Sequence, residues 1–140
     1  MESHRTRSNQ MGVSQNENQM SRIEFKGIPT FRILDYEKAI KFYVDFLGFN
    51  LDWEHRFSET EPVYMQVSKN GLTLHLTENT RFQTEVIVFV ETKGIVGYYM
   101  EISKKDASIP KVSSTPWQTK QMEIEDPFGN LLRFNEKISN

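Results

Sequence analysis

The chain has no cysteine among its 140 residues, which excludes disulfides, a thiol nucleophile and any thiolate metal site. It has no apolar run near the length of a membrane span and opens on no basic, apolar signal segment. A cytoplasmic protein is therefore the default expectation, with no membrane partner. Neither sign of charge dominates: 17 basic residues against 19 acidic give a formal charge of -2. That balance is too even for a nucleic-acid surface, while slight acidity permits a cationic ligand. Also missing are a Gly-x-Ser-x-Gly elbow, a phosphate-cradling glycine loop and a His-Glu-x-x-His pair, and the 3 histidines stand far apart. No covalent catalyst is visible.

What remains is 37% apolar and 12% aromatic, the composition of a globular domain large enough to bury a core. Residues 1–21 are rich in Ser, Asn, Gln and charge without apolar periodicity, and cannot bury enough surface to offset their ordering entropy. They are expected to form a disordered leader, and Met11 and Met20 leave a later translation start open. Residues 22–140 are expected to form one domain.

That domain carries the same order of elements twice. In residues 26–78 a strand over Lys26 to Leu34 leads to Asp35, an N-cap, and to a helix whose apolar residues Tyr36, Ala39, Ile40, Tyr43, Phe46 and Leu47 recur at helical spacing until Gly48. Strands follow from Phe49 to about Ser58, Val63 to Ser68 and Leu72 to Glu78, with Asn70-Gly71 as a two-residue hairpin signal. In residues 84–137 the order recurs: a strand over Thr84 to Glu91, a short helix over Gly94 to Lys104 weakened by Gly97, an edge strand over Ser108 to Ser114 compatible with Pro110, then strands Trp117 to Asp126 and Asn130 to Lys137. Asp126-Pro127-Phe128-Gly129-Asn130 is turn chemistry. Aligning Asp35 with Thr92 brings Asn70-Gly71 within one residue of Phe128-Gly129, so the chain reads as a duplicated unit.

Two strand-helix-strand-strand-strand modules, with Phe-Tyr-Val-Asp-Phe-Leu-Gly-Phe at 42–49 and Asp-Pro-Phe-Gly-Asn at 126–130, resemble the vicinal oxygen chelate superfamily of glyoxalases, bleomycin resistance proteins and dioxygenases. The segments 49–57, 64–67 and 117–136 look most like its bleomycin resistance branch. The resemblance implies an α+β fold of two βαβββ modules, curved mixed sheets around a cavity with helices outside, and a homodimer. Enzymes of the superfamily hold a divalent metal at positions matched here by Ile28, His75, Glu85 and Arg133. Ile28 has no donor and Arg133 is a permanent cation, so no metal and no cofactor is expected. Glu85 and Arg133 could instead pair across the modules, or be a surface pair of little consequence. His75 reads as a hydrogen-bonded structural histidine more than as a catalyst.

Aromatic groups on polar strands supply a second theme. Trp53, His55 and Phe57 share one strand face, Tyr64 and Gln66 lie on the next strand, and Trp117 opens the late hairpin. Such groups wall a flat or cationic ligand, or complete a dimer core. The expected function is a metal-independent protein that sequesters a bleomycin-like glycopeptide or another aromatic cation in a dimer-interface groove, with Trp53, His55, Phe57, Tyr64, Gln66, His75, Glu85, Trp117 and Arg133 as ligand-binding residues. The alternative is a metal-dependent enzyme of the same superfamily, lactoylglutathione lyase-like or dioxygenase-like. The short second helix and the missing glycine-rich connection between Ser103 and Trp117 depart from the resistance-protein pattern.

Overall fold

The computed structural model describes residues 22–139, and the leader expected over residues 1–21 lies outside them. Strand β1 (Thr30–Arg32) leads into helix α1 (Tyr36–Ile40), which continues as a π-helix over Lys41–Phe46. Strands β2 (Asn50–His55), β3 (Tyr64–Lys69) and β4 (Leu72–Thr77) complete the first module. The second runs β5 (Ile87–Glu91), α2 (Ile95–Ser103), β6 (Ser113–Ser114), β7 (Thr119–Glu125) and β8 (Leu131–Lys137). Each module is a four-stranded sheet, ordered β1-β4-β3-β2 and β5-β8-β7-β6. In each, the first strand joins parallel to the last and the remaining neighbours pair antiparallel. The duplication and the α+β architecture are thus present strand for strand. Among the described residues no helix is long and apolar enough to cross a membrane.

Alternation decides which face of each sheet is buried. Met65, Val67, Leu74 and Leu76 of the first sheet and Met122, Ile124, Leu132 and Phe134 of the second form one core with Ala39, Tyr43 and Leu47 from the first helix and Ile95 and Ile102 from α2. The helices therefore cover one face of the sheets. The opposite, helix-free face carries Trp53, Tyr64, Gln66 and His75 in the first module and Ile87, Phe89, Glu123 and Arg133 in the second, none of them buried.

The local chemistry explains most boundaries. Asp35 accepts the Lys38 amide at 2.9 Å and caps α1 as expected. Asn70 and Gly71 both adopt positive φ, 48° and 92°, the pair a tight hairpin turn requires. Four expectations change, the first being that the strand expected over Lys26 to Leu34 shrinks to Thr30–Arg32. The first helix is not α throughout, because Leu47 N–H bonds back to the Phe42 carbonyl, five residues away, at 2.9 Å. Ala39, Tyr43 and Leu47 are all fully buried, and a four-residue spacing drifts by about 40° per step on an α-helix; the wider turn keeps the three in line. The strand expected over Thr84 to Glu91 begins only at Ile87, since Glu85 sits at φ 66°, outside the extended region. The edge strand expected over Ser108 to Ser114 shrinks to Ser113–Ser114.

The Asp126–Asn130 turn joins the modules. Asp126 Oδ1 accepts from the amides of Phe128 and Asn130, both at 2.8 Å, while Oδ2 accepts from Asn130 Nδ2 at 2.9 Å and Tyr43 O–H at 2.6 Å. Asn130 in turn donates to the Arg32 carbonyl at 2.9 Å and accepts the Val86 amide at 3.1 Å. Burial raises the Tyr43 hydroxyl well above its ordinary pKa, so it stays a donor. Tyr43→Phe removes one bond to a carboxylate and is expected to cost about 1.5–3 kcal/mol. Asp126→Ala strands several buried donors at once and is expected to cost more than that, by urea unfolding; two equal, small losses would contradict the junction.

Candidate functional site

The helix-free face of the first sheet is organised by one carboxylate that strict alternation would have placed elsewhere. Leu51 pairs with Val67 and Trp53 with Gln66, so Asp52 is an extra residue, a β-bulge. The bulge turns Asp52 onto the face of Trp53, where Oδ1 accepts from Ser68 Oγ and Oδ2 from Gln66 Nε2, both at 3.0 Å. A carboxylate only accepts, so the Gln66 amide must present its nitrogen to Asp52 and its oxygen to His75. His75 Nε2 lies 3.0 Å from Gln66 Oε1 and is therefore the protonated nitrogen. Its Nδ1, 2.8 Å from Tyr64 O–H, must then accept. Thr30 Oγ1 completes the chain, 3.4 Å from the Tyr64 oxygen. The direction of every bond follows from the charge at Asp52.

Trp53 lies over this network. Its ring is 6.1 Å from Tyr64 at an interplanar angle of 9° and meets the His75 ring edge-on at 5.4 Å. Phe82 packs edge-on against Tyr64 at 6.4 Å. Trp53 is 43% exposed, so the platform is held from beneath and open above. The structure thus brings together Trp53, Tyr64, Gln66 and His75. His55 opposes Tyr64 in the strand register and touches Phe57 at 4.6 Å, but Phe57 is 83% exposed at the rim. Trp117, 65% exposed, belongs to the second module and precedes β7. Trp117 is therefore no part of the chain's own core.

On the second sheet, the expected Glu85–Arg133 pair is replaced. Arg133 Nε donates to Glu123 Oε2 at 2.6 Å, across the β7–β8 pairing that sets Glu123 opposite Arg133. Glu85 falls short of β5 and lies against the Gly129 turn, its Cγ where a Cβ at Gly129 would stand 3.1 Å away. The positions compared with metal ligands shift accordingly. The residues that oppose His75 and Arg133 in parallel register are Thr30 and Phe89, rather than Ile28 and Glu85. Thr30, His75, Phe89 and Arg133 do not fit a divalent ion: His75 has no free lone pair, Arg133 is a cation, and Phe89 offers no donor. Among the described residues no group of three or more His, Asp or Glu gathers to hold a metal.

A cleft of about 290 Å³ opens on the other side of the molecule, between Phe49, Leu72, Val90, Tyr98 and Phe134. Part of its rim is already satisfied, with Lys69 paired to Glu101 at 3.3 Å and set over the Tyr98 ring at 5.7 Å, and Tyr98 O–H bonded to the Leu47 carbonyl at 2.7 Å. Asn70, Glu91 and Lys93 also line it.

Burial lowers the pKa of His75 from the ordinary 6.5, and accepting from Tyr64 favours the same neutral form. The folded protein binds fewer protons there, so the stability from neutral His75 is complete above about pH 6.5 and declines as pH falls through the lower native value. NMR titration of the His75 ring is expected to give a midpoint below 6.5 that rises in Tyr64→Phe. An unchanged midpoint in that variant would break the assigned tautomer.

The chain was compared with known proteins. No curated protein matches it, but many solved structures do. A bleomycin-binding protein from bleomycin-producing Streptomyces verticillus, solved with copper(II)-bleomycin, superposes with TM-score 0.62 at 19% identity over 85% of this chain and 100% of that one. TnmS3, an antibiotic binding protein from Streptomyces sp. CB03234, gives 0.62 at 19% over 84% and 100%. A glyoxalase-related enzyme from Clostridium phytofermentans gives 0.62 at 20% over 84% and 98%. At these identities the likeness establishes the glyoxalase/bleomycin resistance fold. A family model described as glyoxalase superfamily protein matches residues 13–140, and the chain belongs to that family.

Proposed function

We propose that the protein sequesters a bleomycin-like glycopeptide, or another aromatic cationic compound, without a metal or cofactor. The observation that carries this reading is the open aromatic platform of Trp53 on Tyr64, fixed from below by His75, Gln66 and Asp52. An aromatic face held rigid before the ligand arrives loses little entropy on binding and attracts flat or cationic groups. Binding needs no reaction, and the site has no free base poised beside a nucleophile. The bleomycin-binding and antibiotic-binding relatives support the same class.

The groove is proposed to close only in a homodimer. Ile87 and Phe89 stand 57% and 55% exposed on the helix-free face of the second sheet, beside the Arg133–Glu123 pair, apolar area available for a second copy to cover. A second copy setting this face opposite the Trp53 platform would cover both and bring Trp117 and Arg133 to the groove. His55 and Phe57 would line its rim, and Glu85, at the Gly129 turn, would lie outside it. The rival reading is a metal-dependent enzyme, as the Clostridium relative is called glyoxalase-related enzyme. The donor set at His75 and Arg133 favours binding over that alternative.

Light scattering is expected to show a dimer at micromolar concentration. Bleomycin added in the presence of EDTA is expected to quench tryptophan emission, and Trp117→Ala to weaken binding by roughly 1–3 kcal/mol with the melting temperature unchanged. A monomer, or bound metal whose chelation abolishes a lyase or dioxygenase activity, would overturn this reading.

A further inference from the structure

Among the described residues, one buried side-chain polar atom has no hydrogen-bond partner: Nε of Arg32. Phe31 is fully buried in the core, so its neighbours on β1, Thr30 and Arg32, project to the helix-free face. Thr30 reaches Tyr64 there, which places Arg32 one step further along the strand on the side of the aromatic platform, about 7 Å beyond. The ion pairs of the described residues engage Arg22, Arg56, Lys69 and Arg133, and none includes Arg32. Two nearby carboxylates are committed elsewhere. Asp126 is held by Tyr43 and Asn130, and Glu78 by the Val63 amide and Arg56.

A guanidinium with a desolvated, unpaired N–H is costly. It cannot escape by losing its proton, and because that N–H is closed to solvent an anion would meet the guanidinium at its terminal nitrogens. We propose that Arg32 is an anion-recognition residue, and that the ligand of this face carries a carboxylate or similar planar anion beside its aromatic portion. This rests on the reading that a ligand occupies the helix-free face. It narrows the class, because a purely cationic aromatic compound would leave Arg32 uncompensated, whereas a zwitterionic one satisfies both the rings and the guanidinium. A carboxylate suits the planar N–H fork through two parallel bonds.

The test uses 2-naphthoate and its neutral isostere 2-naphthamide as probes, titrated against the full chain by tryptophan quenching. The expected result is that the naphthoate binds roughly tenfold tighter or more than the amide. That preference should vanish in Arg32→Met, persist in part in Arg32→Lys, and leave amide binding unchanged in all three proteins. Circular dichroism and melting confirm that each variant folds; if Arg32→Met does not, the loss of preference is read from Arg32→Gln. Equal binding of both probes to the wild type overturns the anion role while the groove stands, and failure of both probes to bind removes the groove and the inference together. A naphthoate preference that survives in the variants overturns it too. So does dissociation of a dimer by Arg32→Met with no naphthoate preference in the wild type, which would assign the guanidinium to a carboxylate of the second copy.

Discussion

The Asp126 carboxylate holds the turn it opens, and through Tyr43 and Asn130 it also holds the first helix, the end of β1 and the start of the fifth strand. A buried anion of this kind is tolerable only with every lone pair engaged, and here the donors come from both modules. The two sheets are thereby fixed with their core faces against one shared set of helices. Trp53, Ile87 and Phe89, which the helices do not cover, are left exposed on the other face. The site follows from this constraint, because the same tie that completes the core obliges both helix-free faces to look outward.

On the first of those faces a second carboxylate does comparable work in the open. Asp52 sets the orientation of Gln66, Gln66 sets the tautomer of His75, and His75 receives the Tyr64 proton, so the ring on which Trp53 rests is held in one position. A histidine so engaged is a scaffold for an aromatic surface and a poor metal ligand or base. On the second face the Arg133–Glu123 pair neutralises itself, leaving Ile87 and Phe89 as its most exposed apolar groups. Polarity, aromatic surface and uncovered apolar area are thus divided between the modules, an arrangement suited to two copies meeting with opposite modules face to face.

Much of this was legible in residues alone, for physical reasons that can be named. Asn70-Gly71 and the Asp126 turn are dictated by backbone conformations few residues tolerate, and Asp35 marks a helix start because its side chain satisfies an orphan amide. The alternation of Leu132 and Phe134 with Arg133 fixed the faces of β8. What stayed hidden depends on register or on contacts remote in sequence. A bulge at Asp52 carries no local signature, so the anchor of the His75 network was missed, although an acidic residue beside Trp53 and across from Gln66 and Ser68 was a usable hint. The left-handed backbone at Glu85 removed it from the strand and from Arg133, while Glu123, the true partner, was visible as the residue on the neighbouring strand of a hairpin centred on the Asp126 turn. The unpaired Nε of Arg32 is a statement about absence, which only the assembled fold can make.

Two places compete for a ligand, the Trp53 face and the cleft between Phe49 and Phe134 on the opposite side, and amide hydrogen exchange separates them. With bleomycin and EDTA present, added protection is expected in β2, β3 and β4 around Trp53, Tyr64 and His75, and in the segment that carries Trp117. Protection confined to the hairpin at Asn70 and the start of α2, or none at any amide, would contradict a ligand site on the helix-free face.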